Sequence, residues 1–304
     1  MKRTIFSPAS TSNLGPGFDA LGLAVGWGIE VSLEPESPAG FSVILDGEGK
    51  EILPPDGRNM IIKIAREIAG AAADRAAWSI RSEIPVARGL GSSAAARSAG
   101  LAAGYLLRDG AVPPRHVIFE DASRYENHPD NASACVFGGL RVCGREGLDW
   151  RSWPGLLSDP GVELLLVIPN VPVSTSLARS ILPTTYTRSA SVQNLQGLSV
   201  LISGLARGDW DAVRVGCHDH LHEPYRLPMV PGLGDALTAL RGDPGLGGAW
   251  LSGAGPTLAA FVPTDATTAD SGKESIEILE KAGTGAALHR VAIDREGLRL
   301  EVSS

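Results

Sequence analysis

The stretch "GLGSSAAA", Gly89 to Ala96, concentrates small residues and hydroxyls where little bulk is left to fill a core. Gly89 and Gly91 lack a β-carbon, so they adopt dihedrals closed to other residues and let a ligand touch the main chain. A helix starting near Ser92 leaves its first N–H groups unpaired, and the positive end of its dipole adds to them, which makes an anion site. A serine hydroxyl there can also ligate Mg²⁺ beside a phosphate, and the alanines let the helix lie close to a neighbouring sheet. An ordinary turn with a serine cap satisfies the same composition.

Other chemical signatures are weaker. No GxxxxGK[ST] occurs: the Gly-Lys pairs at 49–50 and 272–273 are followed by glutamate and lack the upstream glycine. "GPGFDA", Gly15 to Ala20, is a poor dinucleotide fingerprint, because "SPASTSN" precedes it in place of a strand and Pro16 opposes a tight helical entry. There is no GxSxG elbow and no HExxH. "CHDHLHEPYR" holds Cys217, His218, His220 and His222, a spacing compatible with zinc, but no second ligand cluster completes a tetrahedral set.

These residues must be positioned by surrounding elements. Asn59 is a candidate N-cap for a helix with Ile61, Ile64, Ala65 and Ile68 on one face. "FSVILDG" from Phe41 and "AWSIRSEIP" ending at Pro85 alternate as strands. The small-residue helix is expected from Ser92 to Leu107, another from Pro114 to Tyr125, and a strand from Leu140 to Cys143. "DWRSWPGLLSDPG", Asp149 to Gly161, is turn-rich and reads as the domain boundary, with "ELLLVIP" a strand after it. Two helices follow, with a turn at Gly208-Asp209. Strands and helices in this order indicate α+β in two domains, 1–155 and 156–304.

Composition narrows the class. The 304 residues are 43% hydrophobic and 20% charged, as in a globular chain, with few aromatics (5%) and 37 glycines. A net charge of −7 argues against a nucleic-acid or polyanion binder, without excluding a small phosphorylated ligand held by backbone and metal. Three cysteines without CxxC spacing suggest free thiols, no signal peptide is read, and no apolar run is long enough for a bilayer, so a cytoplasmic protein is expected.

Three separated stretches fall together: "SPASTSNLGPGFDALGLA" from Ser7, "PVARGLGSSAAA" from Pro85 and "LSGAGPTLAAF" from Leu251. In this order the trio resembles the GHMP kinases. "ENHPDNASACVFGGL" from Glu126, "ARSILPTTYTR" ending at Arg188 and "DHLHEPYR" ending at Arg226 are similar to segments of the homoserine kinases within that superfamily, and the resemblance spans about residues 4–262. It implies a two-domain α+β GHMP kinase fold. The N-terminal half would be similar to the second domain of ribosomal protein S5, and the C-terminal half ferredoxin-like. The implied reaction transfers the γ-phosphoryl of ATP to the hydroxyl of L-homoserine; the alternative is a related kinase for another small hydroxy-acid.

The resemblance also implies roles. Pro85, Arg88, Gly89, Leu90, Gly91, Ser92, Ser93 and Ala94, with Gly253 and Gly255 of the third loop, would bind ATP. Ser93 and Glu126 would hold Mg²⁺, which keeps most of its waters and needs few protein ligands. Asn13, Asp19, His128, Arg188 and Arg226 would bind the acceptor, the two guanidiniums suiting its carboxylate. Asp130 and Asn131 would stand at the centre of transfer, with a positioning role favoured for Asp130, since a loose phosphoryl transfer needs positioning more than early proton removal. Asn127 replaces the family's usual glycine and is expected to alter the chain direction beside Glu126. Homodimers are common in that family.

Overall fold

The computed structural model describes residues 3–302, folded around two sheets. The first has seven strands: β1 (Arg3–Asn13), β2 (Gly17–Glu34), β3 (Ser42–Gly47), β4 (Ala77–Ser82), β5 (Leu140–Glu146), β6 (Asp149–Pro154) and β11 (Arg299–Val302). Their path is β11-β1-β2-β4-β3, with β5 joining β2 and β6 joining β5. The 18-residue β2 serves two partners: Ile29–Glu34 pair with β4, and Leu21–Leu23 pair with β5.

Four helices cover one side of this sheet: α1 (Met60–Ala69), α2 (Ser92–Asp109), α3 (Arg115–Glu126) and α4 (Asp130–Phe137). Asn59 caps α1 by accepting from the Ile61 N–H, as its sequence position predicts. The small residues of α2 bring it against α1 as well as β1. A β-carbon on Gly100 would come 2.8 Å from the Ile61 carbonyl, and one on Gly104 would come 2.8 Å from the Ile68 β-carbon. Core residues such as Ile5, Leu23, Val31, Trp78, Ala95 and Ala99 are fully or almost fully buried here.

The second sheet contains β7 (Glu163–Pro169), β8 (Ala249–Leu251), β9 (Leu258–Val262) and β10 (Ala286–Ala292), ordered β10-β7-β9-β8 and antiparallel throughout. Helices α5 (Thr175–Ser180), α6 (Arg188–Arg207), α7 (Trp210–Gly216), α8 (Glu223–Arg226) and α9 (Leu233–Gly242) connect β7 to β8, and α10 (Lys273–Lys281) connects β9 to β10. In chain order this is the 4-1-3-2 arrangement of a ferredoxin-like unit. Its own core gathers Val167, Leu237, Leu240, Leu251, Leu258, Ala260 and Leu279.

Four boundaries differ from the sequence reading. "SPASTSN" does not stand in place of a strand: it is the second part of β1, paired with β2 as far as Asn13. The strand expected to run to Pro85 stops at Ser82, leaving 83–91 as the glycine loop. Asp149–Pro154 is no linker but β6, because Gly147 at φ 62° makes a two-residue turn that folds it back on β5. The second unit does not keep the chain to residue 304: β11 returns to the first sheet and pairs with β1, so residues 299–302 belong structurally with the N-terminal half.

Candidate active site

Three loops meet between the sheets. The Ser10 N–H donates to Leu90 O at 3.1 Å, joining the first and second. The Gly253 N–H donates to Ser12 O at 3.2 Å, joining the third to the first. The Thr257 N–H donates to Arg88 O at 3.3 Å and Ser252 Oγ to Gly89 O at 2.6 Å, joining the third to the second. Trp250, buried in the first core, adds a bond from Nε1 to Thr11 Oγ1 at 2.9 Å. Around this junction opens a cavity of about 520 Å³.

One end of the cavity is built by the second loop. Gly89 and Gly91 have φ of 76° and 68°, and each lies where a side chain has no room: a β-carbon on Gly91 would come 1.9 Å from Ser10 Oγ, and one on Gly89 2.3 Å from Ser252 O. Gly91 is the N-cap of α2, and no side chain caps the helix; its first turn holds no acidic residue. The N-terminal amides of an 18-residue helix are thus left for a ligand. Pro85, Arg88, Gly89, Leu90, Gly91, Ser92, Ser93 and Ala94 all line the cavity. Gly253 lines it too, whereas Gly255 does not: its main chain packs on Gly89.

Glu126, Ser93 and Arg97 share the adjoining wall. The Glu126 carboxylate is nearly buried and ion-paired with Arg97, one turn along α2 from Ser93. Asn127 takes the left-handed conformation, φ 60°, and caps α3 by donating to Ser123 O. This corrects the expected change of chain direction: asparagine tolerates that region better than most residues and turns the chain as a glycine would.

The other end is polar and charged. His128 Nδ1 and Asp130 Oδ1 are 2.6 Å apart. Burial opposes the His128 charge, but Asp130 and Glu126 outweigh it and raise its pKa above the ordinary value. Burial would raise that of Asp130, but His128, Ser12 and the Asn131 amide outweigh it and lower it. Asn131 is held by alternate residues of β1, accepting from Ser10 Oγ at 2.9 Å and donating to Ser12 Oγ at 3.0 Å. Asn13 Nδ2 donates to Gly253 O, and its Oδ1 accepts from the Asp19 N–H.

Asp19 receives Arg179 in a paired contact of 2.6 and 3.1 Å. Arg226, buried, donates Nε to Ala178 O at 3.1 Å and Nη1 to Gly253 O at 3.0 Å. Burial first, then neighbouring Arg179, pull its pKa down to about 10. Both guanidiniums stand over the Phe18 ring, at 5.6 and 5.1 Å from its centre. Of the residues expected at this end, Asn13, Asp19, His128, Asp130, Asn131 and Arg226 line the cavity and Arg188 does not. Arg188 opens α6, exposed to solvent, and it is Arg179 of the same "ARSILP" stretch that lines the cavity. Phe18, Ser12, Arg97 and Arg179 are cavity residues the sequence reading did not single out; for Ser12 the available signal was its period-two spacing from Ser10 on a strand.

The zinc alternative finds no support. His222 is fully buried, stacked on Phe18 with ring centres 5.3 Å apart and Nε2 on Gly15 O, and Cys217 is buried against Gly248. Among the described residues, potential ligand atoms converge at Asp19, His128 and Asp130 instead. The three cysteines are free and buried, which pushes their thiols up to about 12. Among the described residues no helix is long and apolar enough to cross a membrane.

Comparison with known proteins agrees with this architecture. The GHMP kinases N terminal domain matches residues 59–139, and the GHMP kinases C terminal domain residues 201–278. The homoserine kinase of Deinococcus radiodurans is 35% identical, over 98% of this chain and 96% of its own. That of Corynebacterium glutamicum is 36% identical over 92% and 93%. The crystal structure of homoserine kinase from Cytophaga hutchinsonii superposes with a TM-score of 0.81 at 25% identity, covering 99% of this chain and 97% of that one. With both domain models matched in order and relatives aligned over nearly the whole chain, the chain belongs to the GHMP kinase family, alongside its homoserine kinases.

Proposed function

We propose that the protein transfers the γ-phosphoryl group of ATP to the side-chain hydroxyl of L-homoserine, giving O-phospho-L-homoserine on the route to threonine. The observation that carries this reading is the uncapped N-terminus of α2 opening into a cavity whose far end holds two guanidiniums and a carboxylate. Relatives that share nearly the whole chain bear the corresponding name.

The amides of residues 91–94 bind the phosphates of ATP, and the third loop braces them through Gly89. Ser93 and Glu126 are the residues that would hold Mg²⁺, which when bound neutralises charge on the phosphates. The wall offers a hydroxyl and a carboxylate, the hard oxygen donors Mg²⁺ takes, and Glu126 would exchange its Arg97 partner for the ion. Arg226 and Arg179 take the acceptor carboxylate, while Asp19 and the His128–Asp130 pair receive its ammonium and hydroxyl end. The hydroxyl oxygen bonds to phosphorus as the bond to the bridging oxygen breaks. ADP leaves, and the proton passes to a phosphate oxygen or water. Asp130, engaged with His128 and depressed in basicity, acts by positioning, as does Asn131 between Ser10 and Ser12. The free, buried thiols support a reducing, cytoplasmic setting.

A coupled assay of ADP release with ATP, Mg²⁺ and a panel of hydroxy-acids tests the assignment. Turnover should be chiefly with L-homoserine; equal rates with mevalonate would overturn the acceptor.

A further inference from the structure

The buried carboxylate of Glu223 lies outside the cavity, yet its bonds lead to the supports of Arg226 and Asn13 at the acceptor end. Glu223 opens α8, whose fourth and last residue is Arg226. A helix this short has no stability of its own and takes its place from its surroundings. Glu223 Oε1 accepts from the Leu251 N–H at 3.0 Å, and Oε2 from Arg241 Nη2 at 2.7 Å. Two residues after Leu251 comes Gly253, whose carbonyl accepts from both Arg226 Nη1 and Asn13 Nδ2, each at 3.0 Å. Arg241 on α9 also donates Nε to Ala249 O at 3.1 Å and Nη2 to Cys217 O at 3.0 Å. That last carbonyl is the surface on which the first loop rests: a β-carbon on Gly15 would come 2.2 Å from it.

One ion pair, its carboxylate 2% exposed, therefore joins α8, the third loop and the backing of the first. We infer that Glu223, together with Arg241, is a positioning residue for the acceptor, setting the placement of Arg226 against Gly253 and Asn13. The inference rests on the reading of Arg226 as a ligand of the acceptor carboxylate. The phosphate end is tied to the same third loop through Ser252 Oγ and Gly89 O, but it depends on it less, because the second loop is also bonded to Ser10 of β1 and runs directly into α2, which packs on β1.

Steady-state kinetics at a temperature well below unfolding tests this. Glu223→Ala should raise the KM for L-homoserine about ten-fold, as expected for loss of a charge-assisted hydrogen-bond anchor, and the KM for ATP by less than about two-fold. Arg241→Met should do the same. The double variant should be worse than either by less than the sum of the two, since both changes remove the same ion pair. Glu223→Gln keeps an acceptor for the Leu251 N–H but turns an amide NH2 toward Arg241 Nη2, so it should recover only part of the loss; it also provides a folded variant if alanine is not tolerated. A lowered melting temperature with both KM values unchanged, or raised together, would overturn the inference and leave Glu223 a purely structural residue. Arg226→Ala separates the two layers: if it leaves the KM for homoserine unchanged, the acceptor reading itself fails.

Discussion

Arg179 and Arg226 place two like charges on one aromatic ring, and three neighbours make this tolerable. The Phe18 face attracts both, Asp19 neutralises Arg179, and the carbonyls of Ala178 and Gly253 hold Arg226. An incoming carboxylate completes the balance, so Arg226→Ala should raise the KM for homoserine by about ten- to a hundred-fold with little change for ATP, measured by steady-state kinetics. Arg188→Ala should stay within about two-fold of the parent enzyme in the same assay, because an exposed charge outside the cavity contributes little. Arg179→Ala should resemble Arg226→Ala. Arg179 and Arg188 both lie in the "ARSILPTTYTR" stretch, and composition cannot choose between them. The choice is made by the end of α5 at Ser180, after which an irregular segment turns α6 and Arg188 outward.

At the scale of elements, α2 does two jobs with one composition. Its first turn presents bare amides, and its later glycines bring it onto α1. Gly91→Ala forces a side chain into the left-handed region and onto Ser10 Oγ, so nucleotide affinity by calorimetry should fall at least about ten-fold while helix content by circular dichroism is kept. Gly104→Leu overpacks the α1–α2 contact and should cost roughly 1–3 kcal/mol in denaturant unfolding. The start of α2 was legible because glycine, serine and alanine follow one another there. Helix α4 was not: Pro129 before it and Gly138-Gly139 after it read as loop, and its eight residues are largely buried by β1, β2 and β5.

For the whole molecule, the junction of the two halves is stabilised by buried polar contacts that respond to pH. His222, stacked under Phe18 and bonded to Gly15 O, has its pKa pulled down to about 4 from 6.5 by burial. Its folded state prefers the neutral ring, so this contribution is complete above pH 6.5 and is lost as pH falls toward 4, by roughly 3 kcal/mol in all. The stability difference between the parent protein and His222→Gln, followed by urea unfolding across that range, should therefore shift in favour of the variant on acidification; a constant difference would contradict the placement of His222. The amino-acid sequence by itself determined the phosphate loop, the order of the three motifs and the α+β class, because each depends on neighbours in the chain: glycine dihedrals, helix starts, alternating strands. Only the tertiary structure decided that Arg179 and not Arg188 lines the cavity, that residues 299–302 return to the first sheet, and that His222 is a fully buried core ring. Those outcomes depend on which distant surfaces bury one another, and burial and hydrogen-bond satisfaction are properties of the assembled fold.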